Sequence, residues 1–197
     1  MFSGIINEIG TIQAITKRQR AWVVDVKAKR ILSRLKKSGS VAVNGACLTV
    51  VKKSAGLFRV EVIRETLSKT TFRSLSVDDK VNLEAAVRPF DELGGHLVQG
   101  HIDATGSIMD IFDTGHDIIL TVELPKRLMK YVADKGFIAL DGVSLTGLNP
   151  DTTKFQVAII PFTLEHTILK HKKVGDRVNI EVDMMAKYLE RHLPRKK

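Results

Sequence analysis

Two histidines lie in one glycine-rich run, Gly94-Gly95-His96-Leu97-Val98-Gln99-Gly100-His101-Ile102-Asp103. The glycines let a backbone come close to a ligand. An imidazole titrating near neutral pH can act as acid or base. The run also reads as a glycine-rich interdomain turn with incidental histidines, and the residues alone leave these readings level. Cys47 is the chain's single cysteine, and by itself reads as a small buried apolar residue. A related segment, however, carries Ser144 in its place, so the position reads as a small polar group able to hydrogen-bond. Thr49 and Thr146 follow one strand period later and face the same side. Asp183 stands where the related segment has Ala86. A carboxylate at which two copies differ is a candidate for a task only one performs, although a plain surface carboxylate is the commoner case.

These equivalences come from an internal repeat, which must be sought before any fold is assigned. Asn44-Gly45-Ala46-Cys47-Leu48-Thr49 returns as Asp141-Gly142-Val143-Ser144-Leu145-Thr146, 97 residues on. At the same offset Thr66-Leu67-x-x-Thr70 returns as Thr163-Leu164-x-x-Thr167, and Val77-x-Asp79-x-Val81-Asn82-x-Glu84 as Val174-x-Asp176-x-Val178-Asn179-x-Glu181. At offset 96, Gly4-x-Ile6 and Gly10-x-Ile12 match Gly100-x-Ile102 and Gly106-x-Ile108. The chain divides into two copies of one module, residues 1–95 and 96–184, and a tail, 185–197.

Period-2 alternation dominates each copy: Phe58, Val60 and Val62 with Arg59 and Glu61 between them, and Val178, Ile180 and Val182 with Asn179 and Glu181. Short strands broken by Asn44-Gly45 and similar turns predict an all-β fold of small closed barrels, because closure removes exposed edges. One short helix is predicted per copy, over Ala28–Lys37 and over Pro125–Asp134. In the tail, Met184, Met185, Tyr188, Leu189 and Leu193 recur at helical spacing with Lys187, Arg191 and Arg195 between them. That is an amphipathic helix which either covers its own barrel or makes an oligomer contact.

Composition narrows the function classes. The chain is 44% hydrophobic and 27% charged, enough for one large core or two small ones in an ordinary soluble protein. No apolar run approaches the roughly 20 residues of a membrane helix, and the N-terminus does not read as a signal peptide. A lone cysteine forbids an intrachain disulfide and fits a reducing cytosol. The six histidines show no HExxH spacing, so no metal is expected. The net charge of +9 reads as a solvated basic surface, since nucleic-acid motifs and clustered aromatics are missing. Local density at Lys27–Lys37 and Arg195-Lys196-Lys197 could also help an anionic small molecule approach.

Met1-Phe2-x-Gly4-Ile5, Asn44-Gly45-x-Cys47-Leu48-Thr49-Val50, Glu65-Thr66-Leu67, Gly94-Gly95-His96-Leu97-x-x-Gly100-His101, Lys135-Gly136-Phe137-Ile138-x-x-Asp141-Gly142-x-Ser144-Leu145-Thr146, Ile160-Pro161-x-Thr163-Leu164 and Val178-Asn179-Ile180-Glu181-x-Asp183 occur in order. Together they resemble the riboflavin synthases over nearly the whole chain. The resemblance implies two tandem six-stranded Greek-key β-barrels with short helices and a C-terminal α-helix holding a homotrimer. It implies dismutation of two 6,7-dimethyl-8-ribityllumazine molecules to riboflavin and 5-amino-6-(D-ribitylamino)uracil, the last step of riboflavin biosynthesis. No metal or redox cofactor is implied. Association with lumazine synthase, a cytoplasmic location, and no nucleic-acid or membrane partner complete the expectation.

By matching position, the resemblance assigns catalysis to Phe2, Cys47, His101, Ser144 and Asp183. Binding at the first barrel falls to Gly4, Ile5 and Ile6, to Cys47, Leu48 and Thr49, and to Glu61, Val62, Ile63, Arg64, Glu65 and Thr66. Gly100, His101, Ile102 and Lys135 join them from across the junction. Binding at the second falls to Ser144, Leu145 and Thr146 and to Ala158, Ile159, Ile160, Pro161, Phe162 and Thr163. Two positions depart from the family: Ala46, where some members have a second cysteine, and Phe162, where many have His or Glu. The alternative is a non-catalytic lumazine or flavin carrier of the same fold. Retention of Ser144, Thr146, Thr163 and Asp183 in the second copy favours the enzyme.

Overall fold

The computed structural model describes residues 1–193. Strands β1 (Glu8–Lys17), β2 (Ala21–Lys27), β3 (Ser40–Val43), β4 (Ala46–Ser54), β5 (Leu57–Ile63) and β6 (Lys80–Ala85) close in the order β1-β2-β5-β4-β3-β6. Strands β7 (Ala104–Asp113), β8 (Ile118–Glu123), β9 (Phe137–Leu140), β10 (Val143–Leu148), β11 (Lys154–Ile159) and β12 (Arg177–Val182) close in the equivalent order. All ladders are antiparallel, and pairing of β2 with β5 and of β3 with β6 makes the path Greek-key. Alternation has its expected cause: Phe58, Val60 and Val62 are fully buried inside the first barrel. Each such side chain contributes roughly 1.5–3 kcal/mol of burial.

Two-residue turns join β3 to β4 and β9 to β10. Asn44 and Gly45 have φ of 46° and 78°, and Asp141 and Gly142 have 44° and 81°, as a tight primed hairpin turn requires. The turns carry a second task. A Cβ on Gly45 would lie 2.7 Å from the Gly142 nitrogen, and one on Gly142 equally close to Gly45. The barrels thus touch backbone to backbone at a pseudo-twofold axis. Asn82 of β6 donates to the Asp141 carbonyl (3.0 Å) and accepts from Ile168 N (2.8 Å). Asn179 of β12 returns both bonds, to the Asn44 carbonyl and from Thr71 N, each 2.8 Å.

The helices differ from expectation. Ala28–Lys37 contains only a 3₁₀ turn, Ile31–Ser33, because Glu8 accepts from the amides of Lys29 and Ile31 while Ile31, Leu32 and Leu35 plug the first core. Pro125–Asp134 shortens to α2 (Lys126–Met129). Two further helices, α1 (Arg64–Lys69) and α3 (Pro161–His166), fill the β5–β6 and β11–β12 connections and run into 3₁₀ turns capped by Thr70 and Thr167. The tail forms α4 (Met184–His192), beginning one residue before the expected boundary; Arg195, Lys196 and Lys197 lie outside the described residues. Lys187 of α4 pairs with Asp103 (2.7 Å), and Glu190 bonds Lys130 and Tyr131. No residue of α4 is buried, and Met185, Tyr188, Leu189 and the following Leu193 are more than half exposed. Among the described residues, no helix is long and apolar enough to cross a membrane.

Candidate active site

Each module begins with an extended arm that leaves its own barrel. Phe2 and Val98 exchange backbone hydrogen bonds of 2.7 and 3.1 Å. These residues are pseudo-equivalents, so the arms cross at the axis. Beyond the crossing, the Gly4 carbonyl accepts from Ser144 N and the Gly100 carbonyl from Cys47 N, each 2.8 Å. The first arm therefore lies on β10, and the second on β4. Only glycine fits: both have positive φ, and a Cβ on either would fall 2.5 Å from the Cβ of Ser144 or Cys47.

Two buried glutamates hold the arms. Glu84 accepts from Ser3 N, Ser3 Oγ and Gly4 N at 2.7–3.1 Å. Glu181 accepts from Gln99 N, Gly100 N and His101 N at 2.7–3.0 Å. Burial outweighs these bonds and raises both carboxyls, Glu181 to about 7.

On the first barrel the arm roofs a cavity of about 190 Å³ lined by Ala46, Cys47, Glu65, Thr66, Lys69, Thr70, Gly100, His101 and Ile102. Six proposed binding residues, Cys47, Glu65, Thr66, Gly100, His101 and Ile102, thus converge, and two of them, Cys47 and His101, are also proposed catalytic groups. Glu65 is paired with Lys69 at 2.7 Å. Thr49, Glu61, Ile63 and Arg64 are exposed beyond the lining. Leu48 and Val62 point into the core, so only their backbones can serve a ligand.

The second barrel differs at the equivalent place. Phe162 replaces Glu65, and its ring stacks on His166 with centroids 4.1 Å apart, giving an aromatic rim instead of an ion pair. Gly4, Ile5 and Ile6, expected at the first barrel, lie on the second instead, because the first arm crosses to β10 and Ile6 packs on the second core. Ile5, Ile160, Pro161, Phe162 and Thr146 are exposed; Ile6, Ala158, Thr163 and Ser144 are half-buried; Leu145 and Ile159 belong to the core.

The most distinctive contact here involves a residue not assigned by position. His96 is buried, and its Nδ1 lies 2.7 Å from Ser144 Oγ. The ring stacks on Phe137 at 5.0 Å, and Nε2 has no hydrogen-bond partner among the described residues. Desolvation lowers its pKa from the usual 6.5, opposed by the charge of Asp183, so His96 is neutral at neutral pH. A neutral imidazole behind a half-exposed hydroxyl can take a proton through that hydroxyl. The glycine run flagged His96, but its serine partner lies 48 residues away.

The remaining positions have structural surroundings. Phe2 is fully buried between the barrels with Ala42, Val98 and Ala139, where it holds the arms. Asp183 caps α4, accepting from Met185 N at 2.9 Å. Lys135 occupies a left-handed turn (φ 59°) before β9, outside the first-barrel lining. No group of three or more potential metal-ligating side chains occurs among the described residues.

Comparison with known proteins follows this geometry. The lumazine binding domain model matches twice, over residues 3–86 and 99–183. The riboflavin synthase of Actinobacillus pleuropneumoniae is 40% identical, the alignment covering 100% of this chain and 91% of the relative. That of Bacillus subtilis (strain 168) is 40% identical over 98% and 90%, and that of Mycobacterium tuberculosis (strain ATCC 25618 / H37Rv) 40% over 97% of each. Crystal structures of LumP superpose well. The complex with 6,7-dimethyl-8-(1'-D-ribityl) lumazine gives a TM-score of 0.84, with 26% identity over 93% of this chain and 99% of that one. The riboflavin complex gives 0.86, with 26% identity over 93% and 100%.

Proposed function

The chain belongs to the riboflavin synthase family, enzymes that transfer a four-carbon unit between lumazines, and from that premise we propose how its two barrels divide the work. One 6,7-dimethyl-8-ribityllumazine binds under the second arm, against Cys47, Thr66 and His101. The other binds under the first arm, against Ser144, Thr146 and Thr163. The two rings meet between the first barrel of one subunit and the second barrel of its neighbour in a homotrimer. Holding them face to face replaces a bimolecular encounter, an advantage of roughly 7–11 kcal/mol. Ser144, relaying to His96, removes a ring-methyl proton, and the lumazine ring takes up the charge. Cys47, His101 and Asp183 serve the exchange, while Phe2 positions both arms.

The hydrogen bond between His96 and Ser144 carries this reading. It is built once on an otherwise duplicated scaffold, so it distinguishes the second site chemically from the first. The exposed apolar side of α4 supports the trimer, because the polar side already faces the second barrel. The single cysteine suits a reducing cytoplasm. Association of the trimer with lumazine synthase is proposed on the family resemblance, and co-sedimentation of the two purified proteins tests it.

Subunit mixing tests the shared site. A variant impaired in the first barrel (Thr66→Val with His101→Ala) and one impaired in the second (Ser144→Ala) are unfolded, mixed and refolded. Activity above either parent is expected, since some interfaces then combine two intact barrels. Activity no greater than the parents' average places both lumazines on one subunit and contradicts the proposal.

A further inference from the structure

The β1–β2 hairpin and α1 enclose a groove of about 410 Å³ in which Arg18, Arg20, Arg64 and Arg73 converge around Trp22. No acidic side chain lines it. None of the four guanidinium groups has an ion-pair or hydrogen-bond partner among the described residues. A fifth cation, Lys17, sits 4.6 Å over the Trp22 ring. Like charges gathered without counter-charges repel one another, modestly at an exposed surface, and an anion bound among them offsets that repulsion.

The repeat provides an internal control. The same groove exists on the second barrel, lined by Asp113, His116, Asp117, Ile118, Pro161 and their neighbours. Strand pairing fixes the match, with Trp22 opposite Val62 in one copy and Ile118 opposite Ile159 in the other. Arg20 corresponds to His116, Arg64 to Pro161 and Lys17 to Asp113. One framework thus carries opposite charge in its two copies, so the arginines are not a requirement of the barrel.

We propose that the groove binds a phosphate-bearing small molecule of nucleotide size. Its volume falls in the usual range for small-molecule sites, and guanidinium forks match phosphate oxygens in pairs. Lumazine has no phosphate, so the substrate does not account for the cluster. The site stands back to back with the first-barrel cavity: Arg64 opens α1, and the next two residues, Glu65 and Thr66, line that cavity. This inference is independent of how lumazine is turned over.

Trp22 is the only tryptophan and lines the groove, so intrinsic fluorescence reports occupancy directly. Inorganic pyrophosphate is titrated into the full chain, with sodium chloride holding ionic strength constant. A saturable change is expected, with affinity weakened about ten-fold or more in R18S/R20S and unchanged in the control K126S/R127S. Absence of saturation, or an equal response in R18S/R20S, overturns the proposal. So does saturation by a short single-stranded RNA but not by pyrophosphate, which would make the groove a nucleic-acid surface.

Discussion

His96 Nδ1 and Ser144 Oγ lie 2.7 Å apart, the histidine buried and the serine half-buried. The pair sits where the glycine run between the modules presses onto β10: a Cβ on Gly95 would lie 2.9 Å from Ser144 Oγ. If the pair moves one proton, its members act as a unit. His96→Gln and Ser144→Ala should each lower kcat by about 10²–10⁴-fold with little change in KM. The double variant should be scarcely worse than either single. Near-multiplicative losses would contradict the relay.

The pH dependence of activity has a definite sign. His96 is held below 6.5 by desolvation, so it stays neutral, and able to accept a proton, to a lower pH than a free imidazole. The acid limb of kcat should therefore fall below pH 6.5 and vanish in His96→Gln. A limb above 6.5 would assign it to another group.

Stability should also follow pH through Glu181, which rises from 4.5 unfolded to about 7 folded. A raised carboxyl contributes stability below its unfolded pKa, and that contribution is lost as pH rises through the folded value. Relative to Glu181→Gln, the native protein should lose about 2–3 kcal/mol between pH 5 and 8, read from urea unfolding. A constant difference would mean Glu181 ionises normally.

Gly45 and Gly56 have nearly equal φ, 78° and 74°, but very different neighbours. A Cβ on Gly56 meets nothing within 4 Å, whereas one on Gly45 strikes Gly142. Gly56→Ala should cost only left-handed strain, about 1–2 kcal/mol. Gly45→Ala should cost clearly more, because the axis must open. Equal melting losses would remove the barrel contact from the account.

The repeat, the barrels and the places of their turns are legible in the sequence, because period-2 alternation and Asn-Gly chemistry are local; the primed type of the turns comes from the φ values. Asn179 and Glu181 read as the outward residues of an alternating strand, yet both are buried, as are their repeat counterparts Asn82 and Glu84. Alternation separates two faces without revealing that the other barrel or an arm covers the second. α1 and α3 were hidden because six-residue helices carry too few periods to register, although the repeated Thr66-Leu67-x-x-Thr70 pattern marked their place. His96 was visible as a titratable group; its serine partner depended on the crossing arms.

The tail tests the assembly. Leu189→Glu with Tyr188→Ser places polar groups on the exposed side of α4 and leaves Lys187 and Glu190 attached to their partners. Sedimentation should show the trimer dissociating, with activity lost in parallel. An intact trimer would restrict α4 to its own barrel.

Turnover of lumazine by the purified chain, with no added metal, nicotinamide or flavin, tests the central claim most directly. Following lumazine and riboflavin together should show about two lumazines consumed for each riboflavin formed, with the ratio constant over time. Saturable lumazine binding with no riboflavin formed would contradict the account and leave a ligand-binding protein on the same fold.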